Sequence, residues 1–179
     1  MDDILLQRVR NKDKEAFEVL YNRYANYAMR VAVAVTKSST LASDVVQETF
    51  IRVYYNIDRF KYGHSFEPWL YKILINECKR ILKKGTKITY ISDYIETGSD
   101  IPQVDEHHFE EYEVLYRAIE DLDTKFRVPI ILKYLKCFKE SEIAEIMELN
   151  INTVKSRLFK GRQKLKKMLT HREEKEEIK

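Results

Sequence analysis

Apolar residues recur at three- and four-residue steps through both ends of the chain and lose that rhythm in the middle. In DKEAFEVLYNRYANYAMRVAVAV, which begins at Asp13, the residues Phe17, Leu20, Tyr21, Tyr24, Ala28 and Val31 form one stripe and predict a helix with an aromatic core face. The TKSST stretch at 36–40 breaks it. A second helix is expected over 41–60, with Val46, Phe50, Val53 and Ile57 inward. A third is expected to start near Ser65, which can cap it, to admit Pro68 in its first turn and to stop at Gly85. Helices are predicted again over 110–121, 125–137, 140–147 and 151–170. The pattern is all-α: two small helical domains, residues 1–84 and 110–172, with a charged tail at 173–179 that should fray. Residues 85–109 between them mix Gly, Ser, Asp and Pro with isolated Ile88, Tyr90, Ile91 and Ile95, and read as a linker, either a floppy tether or a segment that docks on a partner.

Charge follows the same division. Residues 1–84 carry 15 basic and 10 acidic groups, residues 85–112 carry 1 and 7, and residues 113–179 carry 16 and 12. Two basic modules joined by an acidic strap suit a polyanion partner. Only 4 Gly and 3 Pro occur among 179 residues, which disfavours turn-rich β folds and leaves no Gly-rich phosphate loop. No apolar run reaches the roughly 18 residues of a membrane span, and MDDILLQRVR is acidic and then amphipathic, unlike a signal peptide. Direct membrane insertion is therefore not expected. Two cysteines, Cys78 and Cys137, are too few for a disulfide framework, so a reducing cytoplasm is expected; both are placed on apolar helix faces.

The segment ESEIAEIMELNINTVKSRLFKGRQKL reads as a helix-turn-helix. Ile143, Ala144 and Ile146 form the inner side of its first helix, and Asn150 is placed to cap the second. Val154, Leu158, Gly161, Leu165 and Met168 share one stripe, which must face the core. The opposite face then holds Asn152, Ser156, Phe159, Lys160, Gln163 and Lys167, with Lys155 and Arg162 on one flank and Arg157 and Lys164 on the other. Seven of the thirteen residues from Lys155 to Lys167 are basic and none is acidic, the layout of a helix in a major groove.

On the third helix, Leu70, Leu74, Cys78 and Ile81 face inward while Lys72, Asn76, Lys79 and Lys83 line the other side, flanked by Trp69 and Arg80. Before it, Phe60, Tyr62 and Phe66 alternate with Arg59, Lys61 and His64, a mixture that suits unstacked bases. Phe66 is read as core; Tyr62 and Trp69 serve either as core plugs or as stacking platforms. The second helix exposes Asp44, Glu48, Ile51 and Tyr55 with Gln47 at the edge: either a plain acidic surface or a protein-docking one.

SDVVQETFIRVYYNIDRF, FEPWLYKILIN, LDTKFRVPIILKYLKCFKESEIAEIM and NTVKSRLFKGRQKL together resemble the bacterial sigma-70 family, and within it the small extracytoplasmic-function (ECF) sigma factors, over about residues 10–170. The resemblance implies a promoter-recognition subunit of RNA polymerase that helps melt promoter DNA, in a stress or envelope response. It implies that Asp44, Gln47, Glu48 and Ile51 dock on the clamp helices of the largest polymerase subunit. Lys61, Tyr62, His64, Ser65, Trp69, Lys72, Asn76, Lys79, Arg80 and Lys83 would hold the unwound −10 element. Asn152, Thr153, Lys155, Ser156, Arg157, Phe159, Lys160, Arg162 and Gln163 would bind the −35 duplex. The linker would thread the polymerase channel. Implied partners are core RNA polymerase, promoter DNA and a cognate anti-sigma factor; the implied location is the cytoplasm, at the nucleoid when bound to polymerase. Three positions depart from the usual pattern: Arg80 replaces an Asp, Asp123 a Pro and Asn152 a Gly.

Two other readings fit less of the chain. A stand-alone helix-turn-helix regulator uses the C-terminal half and leaves the acidic helix and the aromatic–lysine cluster unused. An enzyme lacks its parts: His64, His107, His108 and His171 form no ligand or nucleophile–base pattern with the cysteines, so no cofactor, metal or catalytic residue is expected.

Overall fold

The computed structural model describes residues 3–61, 63–88 and 109–176. The described residues form eight α-helices and no strand: α1 Asp3–Arg10, α2 Lys14–Thr36, α3 Ser39–Asn56, α4 Phe66–Ile88, α5 Phe109–Glu120, α6 Thr124–Tyr134, α7 Glu140–Met147 and α8 Ile151–Glu176. They divide into two compact units, the first built on α1–α4 and grouped with Glu145–Met147 at the end of α7, the second built on α5, α6, the rest of α7 and α8.

In the first unit, Asp13 caps α2 by accepting the Ala16 amide at 3.1 Å. That bond, with Arg8 at 2.7 Å, holds the Asp13 carboxyl below its ordinary value. The break before α3 is only Lys37 and Ser38, shorter than the five residues expected. Lys37 takes a left-handed turn and Ser38 accepts the Leu41 amide at 3.3 Å, so one residue ends a helix and the next starts another. Leu20, Ala28, Val31, Val53, Leu70 and Leu74 are fully buried between α2, α3 and α4. Tyr21 departs from the predicted core stripe: it is 41% exposed, at the edge of the α2–α3 packing, with its ring against Phe50. Helix α4 also runs through Gly85 to Ile88. A glycine inside a helix costs about 1 kcal/mol relative to alanine, too little to end one by itself. The remaining linker positions, 89–108, lie outside the described residues.

In the second unit α6 ends at Tyr134, three residues earlier than predicted. The chain turns through Cys137 at φ 57°, and the Phe138 amide reaches back to the Leu132 carbonyl at 3.2 Å. Once the helix has ended, helical phase no longer places Cys137, and it is exposed rather than on a buried apolar face. Arg127 is buried and ties α5 to α6, donating from Nη1 to the Glu120 carbonyl at 2.8 Å and the Leu122 carbonyl at 3.2 Å. At the start of α7 the Glu142 side chain reaches back and accepts the Lys139 amide at 2.7 Å, one half of a capping box, since the Lys139 side chain has no acceptor to return the bond. Its inner side is Ile143, Ile146 and Met147, with Ala144 only half-buried. Helix α8 continues to Glu176, so the expected fraying tail is helical over 173–176.

The two thiols should differ sharply in reactivity. Cys78 is fully buried, and burial pushes its thiol up to about 12, whereas Cys137 is open to solvent. A maleimide or disulfide reagent should label Cys137 at once and Cys78 only in denaturant, with peptide mapping as the readout. Equal rates in the native protein would contradict the described packing around α4.

Candidate nucleic-acid and docking surfaces

Three surfaces gather the residues that the sequence singles out. The first is the outer side of α3. Asp44 and Gln47 are exposed, Ile51 is 43% exposed and Tyr55 72%. Of these, Gln47, Ile51 and Tyr55 line an open groove of about 690 Å³ between α2 and α3, together with Phe17, Val46 and Phe50. The groove's lining is mostly apolar and aromatic, with Lys14 its one charged residue, and a docking partner would cover exposed hydrophobic area there. Glu48 is less free than expected. Its carboxylate lies 3.0 Å from Arg52 Nε, and the same nitrogen lies 2.7 Å from Glu77 of α4.

The second surface is α4 and the loop before it. Lys61, His64, Ser65 and Lys83 are exposed, while Lys72, Asn76, Lys79 and Arg80 are half-buried along one side of α4. Tyr62 lies outside the described residues. Phe66 is buried, as expected of a core residue. Trp69 is half-buried, with its ring centroid 5.6 Å from Phe60 and 5.7 Å from Phe66. Both rings are tilted against the indole, at 56° and 44°, a packing compatible with a core plug and with a stacking platform. Arg10, which the sequence reading missed, pins the loop by donating from Nη2 to the Phe60 carbonyl at 2.6 Å and the Ile57 carbonyl at 3.3 Å. The helical pattern of residues 3–10 was the available signal for α1, which carries that arginine.

The third surface is α8. Asn150 caps it, accepting the Asn152 amide on Oδ1 at 2.8 Å and the Thr153 and Val154 amides on its carbonyl. Val154, Leu158 and Gly161 face inward. A Cβ at Gly161 would sit 3.1 Å from Ile130 Cγ1, so α6 and α8 pack tightly there. With the rotation fixed in this way, Asn152, Lys155, Ser156, Phe159, Lys160, Arg162 and Gln163 are exposed, and Thr153 and Arg157 are half-buried. Phe159 is 54% exposed on an otherwise polar side. Two cations lean back toward α6. Arg162 donates to Tyr134 Oη at 3.3 Å, and Lys164 Nζ lies 4.0 Å from Asp123 and 5.4 Å above the Phe126 ring. Lys164 remains exposed on the flank of α8 while its ammonium lies near both groups. Among the described residues, no group of three or more His, Cys, Asp or Glu is placed to hold a metal ion, and no helix is long and apolar enough to cross a membrane.

The family comparisons divide the chain in the same way. The "Sigma-70 region 2" family matches residues 20–88 and the "Sigma-70, region 4" family matches residues 112–165. The ECF RNA polymerase sigma-E factor of Haemophilus influenzae is 32% identical over 90% of this chain and 92% of that protein. The chain belongs to the ECF class of the sigma-70 family. It is a sigma factor, not a lone helix-turn-helix regulator. The ECF sigma-E factor of Escherichia coli is 30% identical over 90% of this chain and 91% of that protein. Two solved structures share the fold. CnrH in complex with the cytosolic domain of CnrY aligns at TM-score 0.70 and 22% identity, over 94% of this chain and 96% of that one. The sigma factor RpoE in complex with the anti-sigma factor NepR, from Bartonella quintana, aligns at TM-score 0.64 and 24% identity, over 86% and 98%. Within this sigma factor, region 2 contains the α3 and α4 surfaces, and region 4 contains α7 and the basic first half of α8.

Proposed function

We propose that the three surfaces divide the work of one promoter-recognition cycle. The outer side of α3, with Asp44, Gln47, Glu48 and Ile51, docks on the clamp helices of core RNA polymerase. The loop Lys61–Ser65, Trp69 and the Lys72–Asn76–Lys79–Arg80–Lys83 side of α4 take up the unwound −10 element. The first turns of α8 enter the −35 major groove, Ser156, Phe159 and Lys160 toward base edges and Lys155 and Arg157 toward phosphates. Residues 1–84, 85–109 and 110–172 act as the −10 module, the channel-threading linker and the −35 module. The protein works in the cytoplasm, at the nucleoid when bound to polymerase, in a stress or envelope response. It has no catalytic activity of its own, and a cognate anti-sigma factor holds it inactive.

The observation that carries this reading is the separation of chemistries. A largely apolar groove along α3, the helix that also carries Asp44 and Glu48, and a cationic, aromatic-fronted helix occupy one unit, and a helix with seven cations and no acid between Lys155 and Lys167 occupies the other. Polymerase docking and DNA binding need opposite surfaces, and the chain supplies both. The test is titration of fluorescently labelled protein with core polymerase and, separately, with promoter duplex. Tight binding to core and weak binding to duplex alone supports the reading; the reverse order refutes it.

Trp69→Ala should slow strand opening while leaving closed binding intact. The indole is half-buried against the tilted rings of Phe60 and Phe66, so only part of it is open to a base and the loss should sit near the low end of the roughly 1–3 kcal/mol of base stacking. The check is permanganate reactivity of −10 thymines, with thermal unfolding measured alongside. Wild-type reactivity in a folded variant would remove Trp69 from the DNA surface.

A further inference from the structure

Glu77 is the only buried carboxylate among the described residues, and both of its oxygens are engaged. Oε1 lies 2.7 Å from Arg52 Nε on α3, and Oε2 accepts from Arg80 Nε on α4 at 2.6 Å. Arg52 Nε also lies 3.0 Å from Glu48, so four charges run unbroken from the outer side of α3 to the cationic side of α4. A buried ion cluster is poor evidence for stability, because desolvation offsets much of the Coulombic gain. Its clearer effect is geometric. Arg80 is held by Nε alone, its side chain is 39% exposed, and its two terminal nitrogens have no partner among the described residues. A surface arginine normally loses rotamer freedom when it makes a contact; one already anchored at Nε has lost part of it in advance. Arg80 also follows Asn76 by one helical turn, on the same side of α4.

We propose that Glu77 is a positioning residue: its buried carboxylate aims the terminal nitrogens of Arg80 at an unpaired base of the −10 element and, through Arg52, joins that aim to Glu48 on the docking helix. The inference rests on the −10 reading of α4. The basic residue at position 80 and the acidic residue at 77 then form one unit that sets the preferred base at one −10 position.

The experiment is open-complex formation by core polymerase loaded with wild-type, Glu77→Gln, Arg80→Ala, Arg80→Lys or Glu77→Gln/Arg80→Ala protein. The promoters differ base by base across the −10 element. Glu77→Gln should cut discrimination at one −10 position about tenfold, as loss of one good arginine–base contact would. Arg80→Ala should give the same loss at the same position, and the double variant should lose no more than either single. Arg80→Lys should not restore it, because an ammonium has no Nε by which to be held while it presents a donor fork. Three results overturn the proposal: losses that multiply in the double variant, a loss uniform across promoters, or wild-type discrimination by Arg80→Lys. Arg80 is partly exposed, so its variants decide the matter even where Glu77→Gln does not fold. Failure of the wild-type protein to select promoters would overturn the −10 reading itself; selection that ignores Glu77 and Arg80 overturns only this inference.

Discussion

Asp44→Lys combined with Ile51→Asp should weaken binding to core RNA polymerase by about 2–4 kcal/mol, roughly 30- to 800-fold. The first change reverses an exposed charge on the outer side of α3 and the second puts a charge into the apolar part of that side, where a partner would have to desolvate it. Both residues are exposed, so the fold should be unaffected and the thermal midpoint unchanged. Glu48 is better left alone. Its ion pair with Arg52 reaches Glu77 in the region-2 core, and a reversal there would mix a docking effect with disruption of α4. Wild-type affinity of the double variant in a titration with core enzyme would remove the α3 surface from the polymerase interface.

The second large effect is expected on α8, where rotation separates reading from positioning. Lys160→Ala should cost about 1–3 kcal/mol on the preferred −35 duplex and much less on a scrambled one, because a base-edge contact is lost only where the base is right. Lys155→Ala should weaken all duplexes alike and lower the salt slope by about one unit, as loss of one phosphate contact does. Lys155 is a cleaner probe of the backbone than Arg162, whose guanidinium also donates to Tyr134. The measurement is binding of the full chain to a panel of −35 duplexes at several salt concentrations, read as ratios between sequences. The opposite pattern, base preference altered by Lys155 and uniform loss from Lys160, would mean that another side of α8 enters the groove.

What the sequence made legible is what periodicity can carry. The α8 stripe from Val154 to Gly161 is inward as its 3.6-residue period required, and so the exposed side followed without further information. The Asn150 cap was readable because side-chain capping is local. What was not legible depends on contacts distant in sequence or on turns without glycine. Nothing in TKFRVPIIL marks Arg127 as buried; its donors are used by carbonyls at the end of α5, which only the tertiary fold brings close. Glu77 and Arg52 are 25 positions apart, and neither stands out alone. Cys137 sits in a left-handed turn that the sequence does not announce, and its misplacement followed from running α6 three residues too far. Tyr21 kept the period of the core stripe yet lies at its edge, since a stripe fixes direction and not depth.

The most direct test of the whole account is transcription in vitro from a library of randomised promoters by core polymerase, with and without this protein. With it, transcripts should enrich one −35 sequence and one −10 sequence at a fixed spacing, and without it no pair should enrich. Enrichment of a single duplex element by the protein in the absence of polymerase, with no promoter selected in its presence, would contradict the division of labour between α3, α4 and α8.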